Sequence, residues 1–272
     1  MAKKYFIFIA LIIILIGIFL FVRVSFSPGE RQDLIDEVEA IIPAVTSSHK
    51  VSSPTASAQS GFNSPVLNRK KIEQNVPFTS QAPLFQWSDG RFQDGCEEAS
   101  AVMAMAWVHG TKLGSPETVT DEILKMIDFE GQSAAGYQPD LSAADTAKLI
   151  KDYWHYSGVT VRENVNAQDL IDELSRGKIL VSPVNGRLLN NPNFTAPGPL
   201  YHMLVVLGYN PATSEFITND PGTRRGSRYR YGVDTFMNAL RDYPSGHHEV
   251  IVENIKRIIV VSKQPLFSET KR

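Results

Sequence analysis

An α+β domain is what the sequence predicts for the larger, C-terminal part of this 272-residue chain. Helical patterns fill the first half of that region and β-runs the second, and one of the helices is apolar on nearly every face. Helices that precede an antiparallel sheet fit an architecture in which helical and sheet parts are segregated and packed together.

The domain is expected to span residues 72–264, entered by a short extended segment at Asn75–Phe78. Residues 97–109 follow as the apolar helix, with Ala99, Val102, Met103, Met105, Trp107 and Val108 spread around it. A helix apolar all round belongs inside a core. Two further helical patterns fall at about 119–128 and 142–155. Val159–Arg162 then reads as β, Asn166 caps a helix through Leu174, and Gly177 ends it before the strand Lys178–Val184. Strands dominate the last third, at Tyr201–Tyr209, Glu215–Asn219, Arg228–Tyr231 and Glu249–Val261, with one helix at about 233–241. Residues 265–272 form a polar tail, and no internal repeat is present.

Ahead of the domain, Lys3 and Lys4 precede an unbroken apolar run from Tyr5 to Val22, closed by Arg23. As a helix this run rises about 27 Å, close to the hydrocarbon thickness of a bilayer. It is longer than a secretory h-region, and Ser25-Phe26-Ser27 makes a poor cleavage site. Residues 1–26 are therefore expected to be an uncleaved signal anchor, a single transmembrane helix with its N-terminus inside and the domain extracytoplasmic. Residues 27–71 read as a tether. Its start, Arg31–Ala44, has helical apolar spacing, and residues 43–66 are rich in Ser, Pro and Thr with little to bury.

Composition narrows the chemistry. Lys and Arg number 27 against 29 Asp and Glu, so the balance carries no footprint for nucleic acid. The H-E-x-x-H spacing is absent and a single cysteine excludes a thiolate zinc cage, so neither a metal nor another cofactor is expected. That cysteine is Cys96, in Asp94-Gly95-Cys96-Glu97-Glu98-Ala99-Ser100, where the apolar helix begins. A free cysteine is by default a small buried hydrophobe. At a helix N-terminus, however, the dipole and unpaired N–H groups favour the thiolate, which is the nucleophile. Glu97 and Glu98 oppose that charge and are read as ordinary helix-start residues whose side chains point away.

A nucleophilic thiol needs a base, and the base needs an orienter. His202 stands at the start of the run Tyr201–Tyr209, after a loop at Asn185–Pro199 long enough to border a groove. The next β-run ends in Asn219-Asp220-Pro221-Gly222, and a hairpin would set Asp220 beside His202. Taken singly, a strand histidine and an Asn-Asp-Pro-Gly turn are ordinary structural features. In order, the blocks Val76-Pro77-Phe78-Thr79-Ser80-Gln81, Gly95–Ser100, Tyr201–Tyr209 and Asn219–Gly222 resemble the C39-like peptidase family of the papain-like superfamily, over about residues 74–262. The resemblance implies a papain-like fold, with a buried catalytic helix on a mainly antiparallel sheet. It also implies a triad of Cys96, His202 and Asp220, an oxyanion-hole role for Gln81, and a peptide or protein substrate. Members fused to peptide exporters cleave double-glycine leaders, but no transporter region or phosphate-binding loop accompanies this domain, so that substrate does not carry over.

Other residues have plainer readings. His247 and His248 sit in a polar turn, His109 closes the cysteine helix, and His155 ends a later one. Arg224, Arg225, Arg228 and Arg230 follow the Asp220 turn and form either a solvated hairpin or a basic rim for acidic substrates or lipid headgroups. The leading expectation is hydrolysis of a peptide or isopeptide bond. Acyl transfer to an amine, and a catalytically silent membrane-anchored binding domain, are the alternatives.

Overall fold

The apolar helix of the sequence, α2 (Cys96–His109), is buried from Cys96 through Trp107 and forms one wall of the main core. The computed structural model describes residues 70–133, 136–252 and 254–263. The chain divides after Pro65 into two units, and every described residue lies in the second. The expected anchor, the tether as far as residue 69 and the polar tail lie outside the described residues. Among the described residues, no helix is long and apolar enough to cross a membrane.

The elements run β1 (Ile72–Glu73), α1 (Gly90–Gln93), α2, α3 (Pro116–Gly131), α4 (Ala143–Trp154), β2 (Val159–Glu163), α5 (Ala167–Ser175), β3 (Ile179–Val184), β4 (His202–Asn210), β5 (Glu215–Asn219), β6 (Tyr229–Gly232), α6 (Val233–Ala239) and β7 (Arg257–Val261). Caps explain the helix starts. Ser115 and Ser142 accept N–H bonds at the heads of α3 and α4, and Asn166 with Asp169 forms a capping box on α5. The strands form one antiparallel sheet in the order β2-β7-β3-β4-β5-β6, with β1 paired to the far end of β4.

Both faces of this sheet are covered. Met203, Val205 and Leu207 of β4, with Ile179, Val181, Ile259 and Val261, join the core built on α2, α3 and α4. The alternate residues Leu204, Val206, Leu180, Ile258 and Val260 join a second core with α5 and α6. Period-two alternation between two apolar layers is why these strands read as continuous hydrophobic runs. The expected α+β arrangement is the one observed, with the cysteine helix packed on an antiparallel sheet.

Three details differ from expectation. The entry strand is Ile72–Glu73, beginning three residues before Asn75–Phe78, because the Val76 and Pro77 carbonyls accept from Asn219 Nδ2 rather than from a neighbouring strand. The final strand is only Arg257–Val261. Upstream of it, the Glu249, Ile255 and Lys256 carbonyls accept from Tyr201, Asp242 and Val165, and Val252 is 87% exposed. Two short elements also had no sequence signal, α1 and a 3-10 turn at Gly186–Leu189 inside the long loop.

Candidate active site

The site is built where the head of α2 meets the start of β4. Met203 N–H donates to Cys96 Sγ at 3.2 Å, and one helical turn on, Ser100 Oγ donates to the Met203 carbonyl at 3.2 Å. The helix therefore holds the backbone of the residue after His202 at both its N–H and its carbonyl. His202 Nε2 lies 2.8 Å from Asp220 Oδ1. The hairpin supplies that contact: β5 runs antiparallel to β4 with Asn219 opposite Val205, which returns Asp220 to the His202 end of the sheet.

Asp220 is fully buried and its acceptors are filled. Gly222 N–H reaches Oδ1 at 3.0 Å, and Tyr231 Oη and Asn191 Nδ2 reach Oδ2 at 2.5 and 3.4 Å. Burial by itself pushes this carboxyl up. The His202 charge and the bonds from His202, Tyr231 and Gly222 outweigh it, so Asp220 is held below the usual aspartate value. Gly222 is required by space: a Cβ there would stand 2.8 Å from His202 Cε1 and 3.0 Å from Phe194. Phe194 meets the imidazole edge-on at 5.4 Å between ring centres.

Gln81 is tied to the same turn, its N–H donating to the Pro221 carbonyl at 2.9 Å. Its side chain turns toward the cysteine, with Nε2 donating to the Phe92 and Gln93 carbonyls at 3.1 and 2.6 Å. Two carbonyl partners use both amide hydrogens, and Oε1 is buried without a partner. In this conformation Gln81 is near the head of α2 but is not free to donate to a third oxygen. Of the four predicted residues, His202 and Asp220 are bonded directly, and Cys96 and Gln81 are linked to them through the backbones of Met203, Pro221 and Phe92–Gln93.

The sulfur's own bonds depart from expectation. Cys96 Sγ donates to Glu97 Oε2 at 3.0 Å, and no hydrogen bond joins it to a His202 nitrogen among the described residues. The reading of Glu97 and Glu98 as outward-pointing residues is corrected, since both are buried. The head of α2 is enclosed, so its first-turn side chains have no solvent to point into. Glu97 Oε1 accepts from Tyr243 Oη at 2.7 Å and from Leu141 N–H at 3.3 Å. Burial raises the Glu97 carboxyl to about 7, against the opposing effect of these bonds, and Asp140 adds to the rise. The thiol is also pushed well up, by burial first and then by the Glu97 charge and hydrogen bond; the Met203 N–H works the other way.

Behind Glu97 lies a second buried pair. Glu98 is raised by burial and by the charges of Glu130 and Glu97; Glu130 is raised to about 8 by burial and by Glu97. Glu98 Oε2 and both Glu130 oxygens have no hydrogen-bond partner. His248 borders this group, with Nδ1 2.9 Å from Asp140 Oδ2, and that bond raises its pKa. Among the described residues, no His, Cys, Asp and Glu group is arranged to hold a metal ion. His109 and His155 stand at the C-terminal ends of α2 and α4, the opposite end of α2 from Cys96 in the case of His109.

The Peptidase_C39 like family model matches residues 73–248, and the chain belongs to that family. Among solved structures, a protein described as a C39-like peptidase from Bacillus anthracis is similar. It has 16% identity and a TM-score of 0.48, over 72% of this chain and 99% of that one. The peptidase domain of Streptococcus ComA, a bi-functional ABC transporter of a quorum-sensing pathway, is similar at 14% identity and a TM-score of 0.36, over 62% and 91%. No curated protein matches the sequence.

Sequence reasoning missed Tyr231, Asn191 and Tyr243. Tyr231 lies on the strand after the Asp220 turn and was within reach of hairpin reasoning; Asn191 and Tyr243 had no local signal.

Two expectations follow from the buried acids. Glu97→Gln removes the charge facing the thiol, so Cys96 alkylation by iodoacetamide at pH 7 should quicken about tenfold, the equivalent of one pKa unit. A carboxyl raised by folding favours the fold fully below its unfolded value of about 4.5, and that contribution is lost as pH climbs through about 7 for Glu97 and about 8 for Glu130. Glu130→Gln should therefore raise the melting temperature at pH 9 while leaving it nearly unchanged at pH 5, as read by calorimetry.

Proposed function

We propose that this protein is a thiol-dependent peptidase that hydrolyses a peptide or isopeptide bond with Cys96 as its nucleophile. The observation that carries the reading is the buried His202–Asp220 pair, on a strand whose next amide touches the Cys96 sulfur. Membership in the C39-like family supports a peptidase and a peptide or protein substrate.

In the proposed cycle His202 takes the thiol proton and Cys96 attacks the carbonyl. Asp220 keeps the imidazole oriented and stabilises its charged form. The first N–H groups of α2, which has no side-chain cap, hold the developing oxyanion. Gln81 joins them by exchanging one carbonyl bond for the oxyanion. Protonated His202 then supplies the leaving amine with its proton, and water releases the acyl group. Because Cys96 is only 5% exposed, substrate binding must move the side chains that cover it, and the thiol must turn from Glu97 to the imidazole. Catalytic hydrogen bonds that are loose without substrate and tighten on binding are common in such sites.

That same resting geometry favours a second reading, a binding domain that retains the fold without turnover. The sulfur is bonded to Glu97, and both Cys96 and His202 are buried. Labelling of the full chain separates the two. In the peptidase, His202→Ala should slow Cys96 alkylation and peptide cleavage by a factor on the order of 10² to 10⁴. Equal alkylation rates in the two proteins would sink the activated-thiol reading and favour the binding domain. Cleavage assayed with an added amine separates hydrolysis from acyl transfer.

We further propose that the domain acts outside the membrane, held by Tyr5–Val22, because Lys3 and Lys4 flank that run on the side expected to stay inside. A cysteine-reactive, membrane-impermeant reagent applied to intact cells should then label Cys96 in the Glu97→Gln variant; labelling only after lysis would contradict it.

A further inference from the structure

We infer that the substrate docks a carboxylate beside the scissile bond, in a cavity that shares a wall with the His202 imidazole. The inference rests on the peptidase reading and names the class of substrate it takes. The cavity has a volume of 460 Å³, within the range of small-ligand pockets, and opens between the Gln81 loop, the loop before β4 and the turn after Asp220. Trp87, Asn193, Thr195, Thr223, Arg224 and Arg225 line it, and Gly222 forms the wall toward the histidine. Its lining contains two arginines and no acidic residue.

Usage within the arginine run is what singles these two out. Arg228 is paired with Glu73, and Arg230 with Glu215 at 3.2 Å, so both are neutralised on the outer surface of the sheet. Arg224 and Arg225 are exposed, and neither has an ion pair among the described residues. Arg224 lies 4.5 Å over the Phe85 ring, which orients the guanidinium without cancelling its charge. Phe85 is itself 60% exposed and holds a left-handed backbone (φ 65°), so the ring is displayed at the rim rather than packed in the core. Arg224 and Phe85 also border a second groove of 290 Å³ lined by Phe78, Pro83 and Pro116, making one basic ridge between two cavities.

Two guanidinium groups beside hydroxyl and amide side chains make a site for a carboxylate, which arginine binds in a bidentate fork. Asp220, two residues before Gly222 in the turn, is fully buried and saturated by His202, Tyr231, Asn191 and Gly222, so it does not neutralise the cavity. The carboxylate is a Glu or Asp side chain or a free C-terminus. Because both arginines are exposed, salt screens them, and the preference is steepest at low ionic strength.

The test uses the full chain carrying Cys96→Ala, so that binding is read without turnover. Fluorescence anisotropy compares a labelled peptide containing internal Glu-Glu with its Gln-Gln counterpart, each with an amidated and a free C-terminus. The Glu-Glu or free-carboxyl peptide should bind about tenfold more tightly than the uncharged amide, and which of the two does so identifies the source of the carboxylate. Arg224→Gln with Arg225→Gln should abolish that difference, Arg224→Lys with Arg225→Lys should restore part of it, and Arg230→Gln should leave it intact. Equal affinity for charged and uncharged peptides, or a difference that survives the double Gln variant, overturns the inference. Cleavage by the chain with native Cys96 reports separately on the peptidase reading: charge-selective binding without cleavage in any peptide would retain the docking site and remove the hydrolase.

Discussion

The backbone of Met203 is held by one helix at both its N–H and its carbonyl, and the candidate site depends on that grip. Its N–H points at Cys96 and its carbonyl takes Ser100, so helix and strand are locked in register where the candidate side chains stand. Residues four apart on a helix share a face, which lets a single turn clasp one residue's backbone on both sides of its Cα. Because Met203 follows His202, the clasp fixes the strand that carries the imidazole relative to the thiol. The other residues are brought in from there: the β4–β5 hairpin brings in Asp220, and the Pro221 carbonyl brings in the Gln81 loop.

Making that grip requires burying the head of α2, and burial has a cost. Glu97, Glu98 and Glu130 are all enclosed, yet only Glu97 has its oxygens matched by donors. Buried carboxyls without partners keep their protons in preference to being charged. The fold therefore carries an acidic interior that is quiet at low pH and strained at high pH. Glu97 connects this interior to the candidate nucleophile, because it bonds Tyr243 on one oxygen and the thiol on the other.

Much of this was legible in the sequence, and the gaps have physical causes. Helix α2 is legible nearly to the residue, since a segment apolar on every face has to lie inside a core. The β4–β5 hairpin was legible from two runs separated by a short polar stretch. The end of the chain was not: Val250 and Val252 look like strand residues, but they are exposed at 45% and 87%, and the nearby carbonyls are taken by Tyr201, Asp242 and Val165. Periodicity records which residues avoid water, not where backbone groups find partners. The same limit explains Glu97. Acidic residues in a first helical turn normally face solvent and the dipole, and only tertiary enclosure reveals that this one faces the sulfur. Of the four arginines after the turn, sequence could not divide the paired from the unpaired, because Glu73 and Glu215 come from different strands.

The bond from Cys96 to Glu97 has a further consequence, for how long the protein lasts. Peroxides and disulfides react with thiolates, and susceptibility follows thiolate character and access. A sulfur that is 5% exposed, protonated and donating to a carboxyl offers neither. With no second cysteine in the chain, no internal disulfide can shelter it, so the neighbouring acid does that work. The resting geometry thus shields this thiol from oxidants.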